Sequence, residues 1–192
     1  MLEALLPDPG PRPIFPAPPL RARVAREPWQ IAAYFRLRRE IFALEQGLFD
    51  ESDRDSHDSQ ALPIVAITEI AGMPDRVVGV VRIYEERDGA WFGGRLGVDP
   101  SFRRVGAIGT ALITEAVATA HWLGATSFFA TVQERNVRYF SRHHFRALDV
   151  IEVCGRPHRL MSAALDKYPP EWSSQRALGL TPLGRVRPRG AP

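Results

Sequence analysis

Apolar positions change period along the chain, and each change marks an element. "LRARVA" (20–25) alternates apolar and polar residues, as a half-buried strand does. Pro28, a residue suited to a first helical turn, opens an amphipathic segment that reaches about Leu48. After an acidic loop, "IVAITEI" (64–70) and "RVVGVVRIY" (76–84) read as strands joined at "AGMPD". "WFGGRLGV" (91–98) makes a third strand, reached through "RDGA", where Asp88-Gly89 is a hairpin signal. Ile108, Leu112, Ala116 and Ala120 then recur at helical spacing, and Gly124 is placed to end that helix. "TSFFATV" (126–132) returns as a strand, and a last helix spans about 134–143. "ALDVIEV" and "RPHRLMSAAL" form two strands around Cys154-Gly155. The order β-α-β-β-β-α-β-α-β-β predicts an α+β, three-layer fold. A hairpin meander passes into a βαβ crossover, so the central sheet is mixed and flanked by helices.

Both ends depart from this pattern. Residues 1–19 contain Pro7, Pro9, Pro11, Pro13, Pro16, Pro18 and Pro19, a density that blocks helix and sheet. Residues 169–192 repeat the character with Pro169, Pro170, Pro182 and Pro188. The expected organisation is a Pro-rich N-terminal segment (1–19), one domain (20–168) and a Pro/Arg-rich tail (169–192), the ends acting as straps or flexible tails. A chain of 192 residues, 45% hydrophobic, can bury one proper core and has little room for two.

Composition narrows the function classes. The single cysteine, Cys154, excludes an internal disulfide framework and a multi-cysteine zinc site. No secretory or membrane-spanning run is found, so a cytoplasmic, bacterial-style protein with no membrane partner is expected. The net charge is only +3, and Lys167 is the sole lysine. The arginines are dispersed and offset by acids, with Arg185, Arg187 and Arg189 gathered in the tail, so nucleic acid is not the expected partner.

Two stretches carry candidate chemistry. In "SFRRVGAIGTALI" (101–113), Gly106 and Gly109 precede a helix whose first N–H groups lack internal partners and suit an anion such as phosphate. The plainer alternative is a tight turn that binds nothing. "DESDRDSHD" (50–58) supplies five carboxylates and His57; it either draws a cationic amine or is a solvated acidic loop. Calcium is not expected there, because Asp58 stands where the loop needs glycine and Ile64 where it needs glutamate.

Four segments together resemble the GNAT acyl-CoA N-acyltransferases over about residues 20–165: "RLRREIFALEQG" (36–47), "RLGVDPSFRRVGAIGTALI" (95–113), "VQERNVRYFSRHHF" (132–145) and "EVCGRPHRLM" (152–161). The resemblance implies a GNAT fold and acetyl-CoA as co-substrate, with its pyrophosphate on the backbone of the glycine turn. Counting from "VDPSF" makes Arg103 the motif arginine; counting back from "GTALI" makes it Arg104. The turn candidates are therefore Arg103, Arg104, Val105, Gly106, Ala107, Ile108, Gly109 and Thr110. Leu96, Gly97 and Val98 would lend backbone to the pantetheine arm and to the oxyanion, and Asn136 would contact CoA or simply cap a helix. The family's acid is often a tyrosine on the last helix. Aligning "HHF" with the family's "x-Gly-Phe" puts Phe140 at that position, with Tyr139 one residue earlier.

His158 and Glu152 are the other acid–base candidates, although His158 could instead hold a hairpin together. The implied activity is transfer of an acetyl group to an amine, most simply on a small molecule, with no metal. The alternative is a non-catalytic acyl-CoA-binding domain acting as sensor or partner subunit, and a homodimer is a possible assembly. A looser likeness to GNAT members linked to nitrilase and nitrogen-starvation gene clusters would place the chain in nitrogen metabolism.

Overall fold

Seven strands form one mixed sheet in a computed structural model that describes residues 20–153 and 155–177. The predicted segment 1–19, Cys154 and the tail beyond residue 177 lie outside the described residues. The strands are β1 (Leu20–Val24), β2 (Leu62–Ile70), β3 (Met73–Arg87), β4 (Ala90–Val98), β5 (Ser127–Gln133), β6 (Phe145–Val153) and β7 (Arg156–Ala163), arranged in the order β1-β2-β3-β4-β5-β7-β6. β1 to β4 are an antiparallel meander, and the α2 helix (Ala107–Trp122) carries the chain across to β5, the one parallel neighbour of β4. The α1 helix (Pro28–Arg38) covers the opposite face, and α3 (Val137–Arg142) precedes β6. The predicted element order and mixed sheet are both observed.

The central strands are apolar on both faces because both faces are covered. Ile64, Ala66, Val78, Val81 and Ile83 pack towards α2, against Ile108, Leu112 and Val117. Val65, Ile67, Val77 and Val80 pack towards α1, against Ala33, Tyr34, Leu37 and Ile41. Full burial of one such aliphatic side chain contributes roughly 1.5–3 kcal/mol. Gly79 permits the close seat of α2: a Cβ there would stand 2.8 Å from Leu112 Cδ1 and 2.9 Å from Ile108 Cγ2.

One departure from the sequence reading shapes the site. The first helix does not continue as α-helix to Leu48; after Arg38 it widens into a π-helical stretch, Arg39–Glu45, with Gln46 N–H bonded to Ile41 C=O at 3.0 Å. The wider turn sends Ile41 and Glu45 to one side of the site and Phe42 to the other. The described part of the tail, through Ala177, is a strap on α2. The buried carboxylate of Glu115 accepts from Ser174 N–H at 3.1 Å, from Ser174 Oγ at 2.5 Å and from Thr119 Oγ1 at 2.9 Å. His121 Nδ1–H donates to the Tyr168 carbonyl at 2.8 Å.

Candidate functional site

The site originates in a strand pair that separates. β4 and β5 are in parallel register only from Ala90–Ser127 to Gly93–Ala130, and then diverge. Gly94 to Val98 therefore present one backbone edge to open space. Within that opening, β4 bulges: Gly94 sits opposite Arg82 and Gly97 opposite Val80, so Arg95 and Leu96 together face Val81. Arg95 adopts a left-handed φ of 55°, a conformation that costs a non-glycine residue roughly 1–3 kcal/mol. A bulge of this kind re-aims the backbone N–H and C=O groups beside it.

A groove of about 390 Å³ runs from this edge to the start of α2, lined by Leu96, Gly97, Val98, Val105, Gly106, Gly109, Asn136 and Tyr139. Within the turn, Val105 N–H is bonded to Phe102 C=O at 2.9 Å and Ile108 N–H to Val105 C=O at 3.1 Å, so neither is free for a ligand. Ile108 itself is buried in the core. Gly106 is the helix N-cap, and a Cβ there would meet nothing within 4 Å. Gly109 has a different reason to be glycine: a Cβ would collide with the Tyr139 hydroxyl, which lies against the first turn of α2.

On the far side of the sheet opening is a cavity of about 280 Å³. Its α1-side wall is aromatic: Tyr84 and Phe92 stack at 6.0 Å, and Phe42 and Phe49 face them from the π-helical stretch and the loop after it. His158, 6% exposed, also lines it; its Nδ1 bonds the Arg156 carbonyl at 2.9 Å. A carbonyl only accepts, so Nδ1 carries the proton and, in the neutral ring, Nε2 keeps its lone pair. Phe140 and Asn136 line both groove and cavity.

The acidic loop is neither a solvated strip nor an open cation trap. Asp53, Asp55 and Asp58 are matched by Arg38, Arg82 and Arg95. Arg38, fully buried, donates from Nε to Asp53 at 2.7 Å, from Nη1 to Asp58 at 2.5 Å and to Tyr34 Oη at 3.0 Å, and from Nη2 to Asp58 at 3.0 Å. Arg82 forks onto Asp55 with two 2.6 Å bonds, and Arg95 reaches Asp53 at 3.1 Å and Asp55 at 3.3 Å. Burial alone would raise the Asp58 carboxyl, but hydrogen bonds from Arg38, the Asp55 N–H and Arg82 hold it well below the usual range. Asp55 is likewise lowered: burial acts against ionisation, and the Arg82 fork overcomes it. Burial pushes the Tyr34 hydroxyl up to about 12.

The remaining sequence candidates divide. Arg103 borders the groove, but both terminal nitrogens are paired with Glu45, at 2.6 and 2.5 Å, and its Nε with Val98 C=O at 3.1 Å. That hydrogen bonding holds the Glu45 carboxyl below its usual value. Arg104, Ala107 and Thr110 are outside the groove lining, and Thr110 Oγ1 bonds back to Gly106 C=O at 3.2 Å. Asn136 occupies the N-cap of α3 yet makes no side-chain cap bond, so its amide is left to the site. Glu152 is not brought in: Ile151 pairs with His158, so alternation points exposed Glu152 to the other face. Sequence reasoning missed Phe42, Phe49, Arg82, Arg95 and Arg135; all but Phe49 lay within quoted segments, where nothing local singled them out.

The Acetyltransferase (GNAT) family model matches residues 22–145, more than half of the chain. An acyl-CoA N-acyltransferase from Pseudomonas aeruginosa superimposes with a TM-score of 0.61 at 21% identity, covering 77% of this chain and 100% of that one. Escherichia coli ElaA gives 0.60 at 21% identity, covering 77% and 99%. At such identities the likeness is one of fold. Among curated proteins, none matches the chain in sequence.

Proposed function

Because the chain belongs to the GNAT acetyltransferase family, we propose that it moves an acetyl group from acetyl-CoA to the amine of a small molecule by direct attack on the thioester. One observation carries this reading: β4 and β5 part after Gly93 and Ala130, leaving the β4 backbone free along a groove that ends at the N-terminus of α2. Pantetheine is an extended chain of amides that can pair with such an edge. Pyrophosphate suits the first turn of α2, where Gly106 adds no side chain. Asn136 would contact the arm between them. Arg103 would serve the phosphates only by giving up Glu45.

In this reading the acceptor sits in the aromatic cavity and meets the thioester where cavity and groove join. The neutral amine attacks the carbonyl carbon, a backbone N–H of the Leu96–Val98 stretch steadies the oxyanion, and the C–S bond breaks. His158 takes the proton from the amine through Nε2, since Nδ1 is committed to the Arg156 carbonyl. Tyr139 lies at the α2 end of the groove and does not border the cavity, whereas Phe140 borders both. The thiol group of CoA therefore leaves as a thiolate stabilised by solvent and N–H groups, feasible for a thiol of pKa about 8.5. A place in nitrogen metabolism goes with the looser resemblance, and a cytoplasmic location with the composition.

Phe140 also favours a second reading, an acyl-CoA-binding domain without turnover. Thiol release from acetyl-CoA against an amine panel separates the two. Transfer predicts amine-dependent release, and His158→Gln removes the acidic limb of the kcat/KM profile while CoA affinity holds. Tight CoA binding with no release for any amine would favour the second reading.

A further inference from the structure

We infer that the acceptor is an α-amino acid with a large apolar side chain, its carboxylate held by Arg135 and Arg95. The inference rests on the acyl-transfer reading and names the acceptor class for the same site. It starts from the charge of the wall. The residues lining the cavity include Arg82, Arg95, Arg135 and His158, and no aspartate or glutamate. The nearby carboxylates of Asp53, Asp55 and Asp58 are committed to arginines. A polyamine would find no counter-ion here, and desolvating an unpaired ammonium is unfavourable.

The cations are placed unequally. Arg135, exposed, borders both groove and cavity; it makes no side-chain hydrogen bond or ion pair within 4 Å among the described residues, and the carboxylate its charge acts on, Glu45, is already paired with Arg103. An anion bound to it would lie where the amine must meet the thioester. An α-amino acid meets that requirement, because its carboxylate is one carbon from the attacking nitrogen. Arg95 stands on the wall by way of the bulge, its guanidinium 4.4 Å from the centroid of Phe49. Its Nε and Nη2 are held by Asp53 and Asp55, and Nη1 has no partner among the described residues. A guanidinium fixed in this way is preorganised for a carboxylate oxygen. The rest of the cavity, with Phe42, Phe49, Tyr84 and Phe92, suits an aromatic or branched aliphatic side chain.

The test pairs acceptors that differ only in the carboxylate: L-phenylalanine against phenethylamine, with spermidine as a cationic control and acetyl-CoA as donor. The expected result is a kcat/KM for phenylalanine about tenfold or more above phenethylamine, as one charge-assisted bond provides. Arg135→Gln should lower the phenylalanine value by about tenfold and leave phenethylamine and the CoA dissociation constant within about twofold. Phenethylamine or spermidine outperforming phenylalanine would overturn the inference and leave acyl transfer standing. Equal losses for both acceptors in Arg135→Gln, with weakened CoA binding, would also overturn it by giving Arg135 to the phosphates. CoA binding without turnover of any amine would overturn the transfer reading. In that case calorimetry of L-phenylalanine on the CoA complex decides the inference: binding lost in Arg135→Gln supports the carboxylate site, and no binding overturns it.

Discussion

Arg38→Met tests whether the acidic loop is a structural clamp. Met keeps the length and apolar stem of the side chain and removes the guanidinium, which is fully buried and donates to Asp53, Asp58 and Tyr34. Removing one partner of a buried ion pair costs about 3–5 kcal/mol when the survivor is left unpaired. Here the survivors retain something: Asp53 keeps Arg95 at 3.1 Å, and Asp58 keeps Arg82 at 3.0 Å and the Asp55 N–H at 3.0 Å. The expected loss is therefore at the lower end, about 3 kcal/mol, or a fall in Tm of roughly 6–12 °C for a domain of this size. Urea unfolding followed by tryptophan fluorescence gives the value. Arg38→Lys should recover less than half of it, because a single ammonium cannot reproduce the fork. A loss under about 1 kcal/mol would refute the clamp and return the aspartates to solvent.

The same network sets acid stability. Asp55 and Asp58 have folded pKa values below the unfolded carboxylate value of about 3.9, so their contribution is complete above that pH and is lost as pH falls through the folded values. Acid unfolding should begin below about pH 4, and Arg38→Met should move its midpoint upward; an unmoved midpoint would break the link. Gly109→Ala should displace the Tyr139 ring and weaken CoA, and adding Tyr139→Phe should restore much of the affinity, because the nearest remaining atom is then Cζ at 3.3 Å. Tyr139→Phe alone should lower turnover only a few-fold, whereas loss of a general acid is worth about a hundredfold or more. Glu115→Ala removes the acceptor of the Ser174 N–H and hydroxyl, at roughly 1–3 kcal/mol, and limited proteolysis should then cut near Ser174 first.

The parts legible in the sequence are those written in local period and turn chemistry. Strand alternation, the glycine before α2 and Gly124 with its φ of 93° each follow from neighbouring residues. The parts that were not legible join residues far apart. Arg38 meets Asp58 across 20 positions and Arg95 meets Asp53 across 42, so "DESDRDSHD" read alone looks like free negative charge. The π-helical stretch at Arg39–Glu45 keeps helical composition, and its wider turn leaves no period of its own. Nothing about an arginine announces a positive φ, yet the Arg95 bulge builds the wall between groove and cavity. Where Tyr139 and Phe140 stand depends on how α3 packs, which local sequence does not show: both border the groove, and Phe140, 9% exposed, also borders the cavity.

The central claim, an acyl-CoA site running from the β4 edge to the start of α2, is tested most directly by the calorimetric affinity of CoA for Gly106→Glu. The substitution suits the fold, because a Cβ at residue 106 meets nothing within 4 Å, φ is −56°, and a carboxylate at a helix N-terminus is favourable. It also sets a negative charge where the pyrophosphate is placed. The account predicts an unchanged or slightly raised Tm with CoA affinity reduced by about a hundredfold or more, the free-energy equivalent of roughly 2.7 kcal/mol. Wild-type affinity in a well-folded Gly106→Glu protein would contradict it.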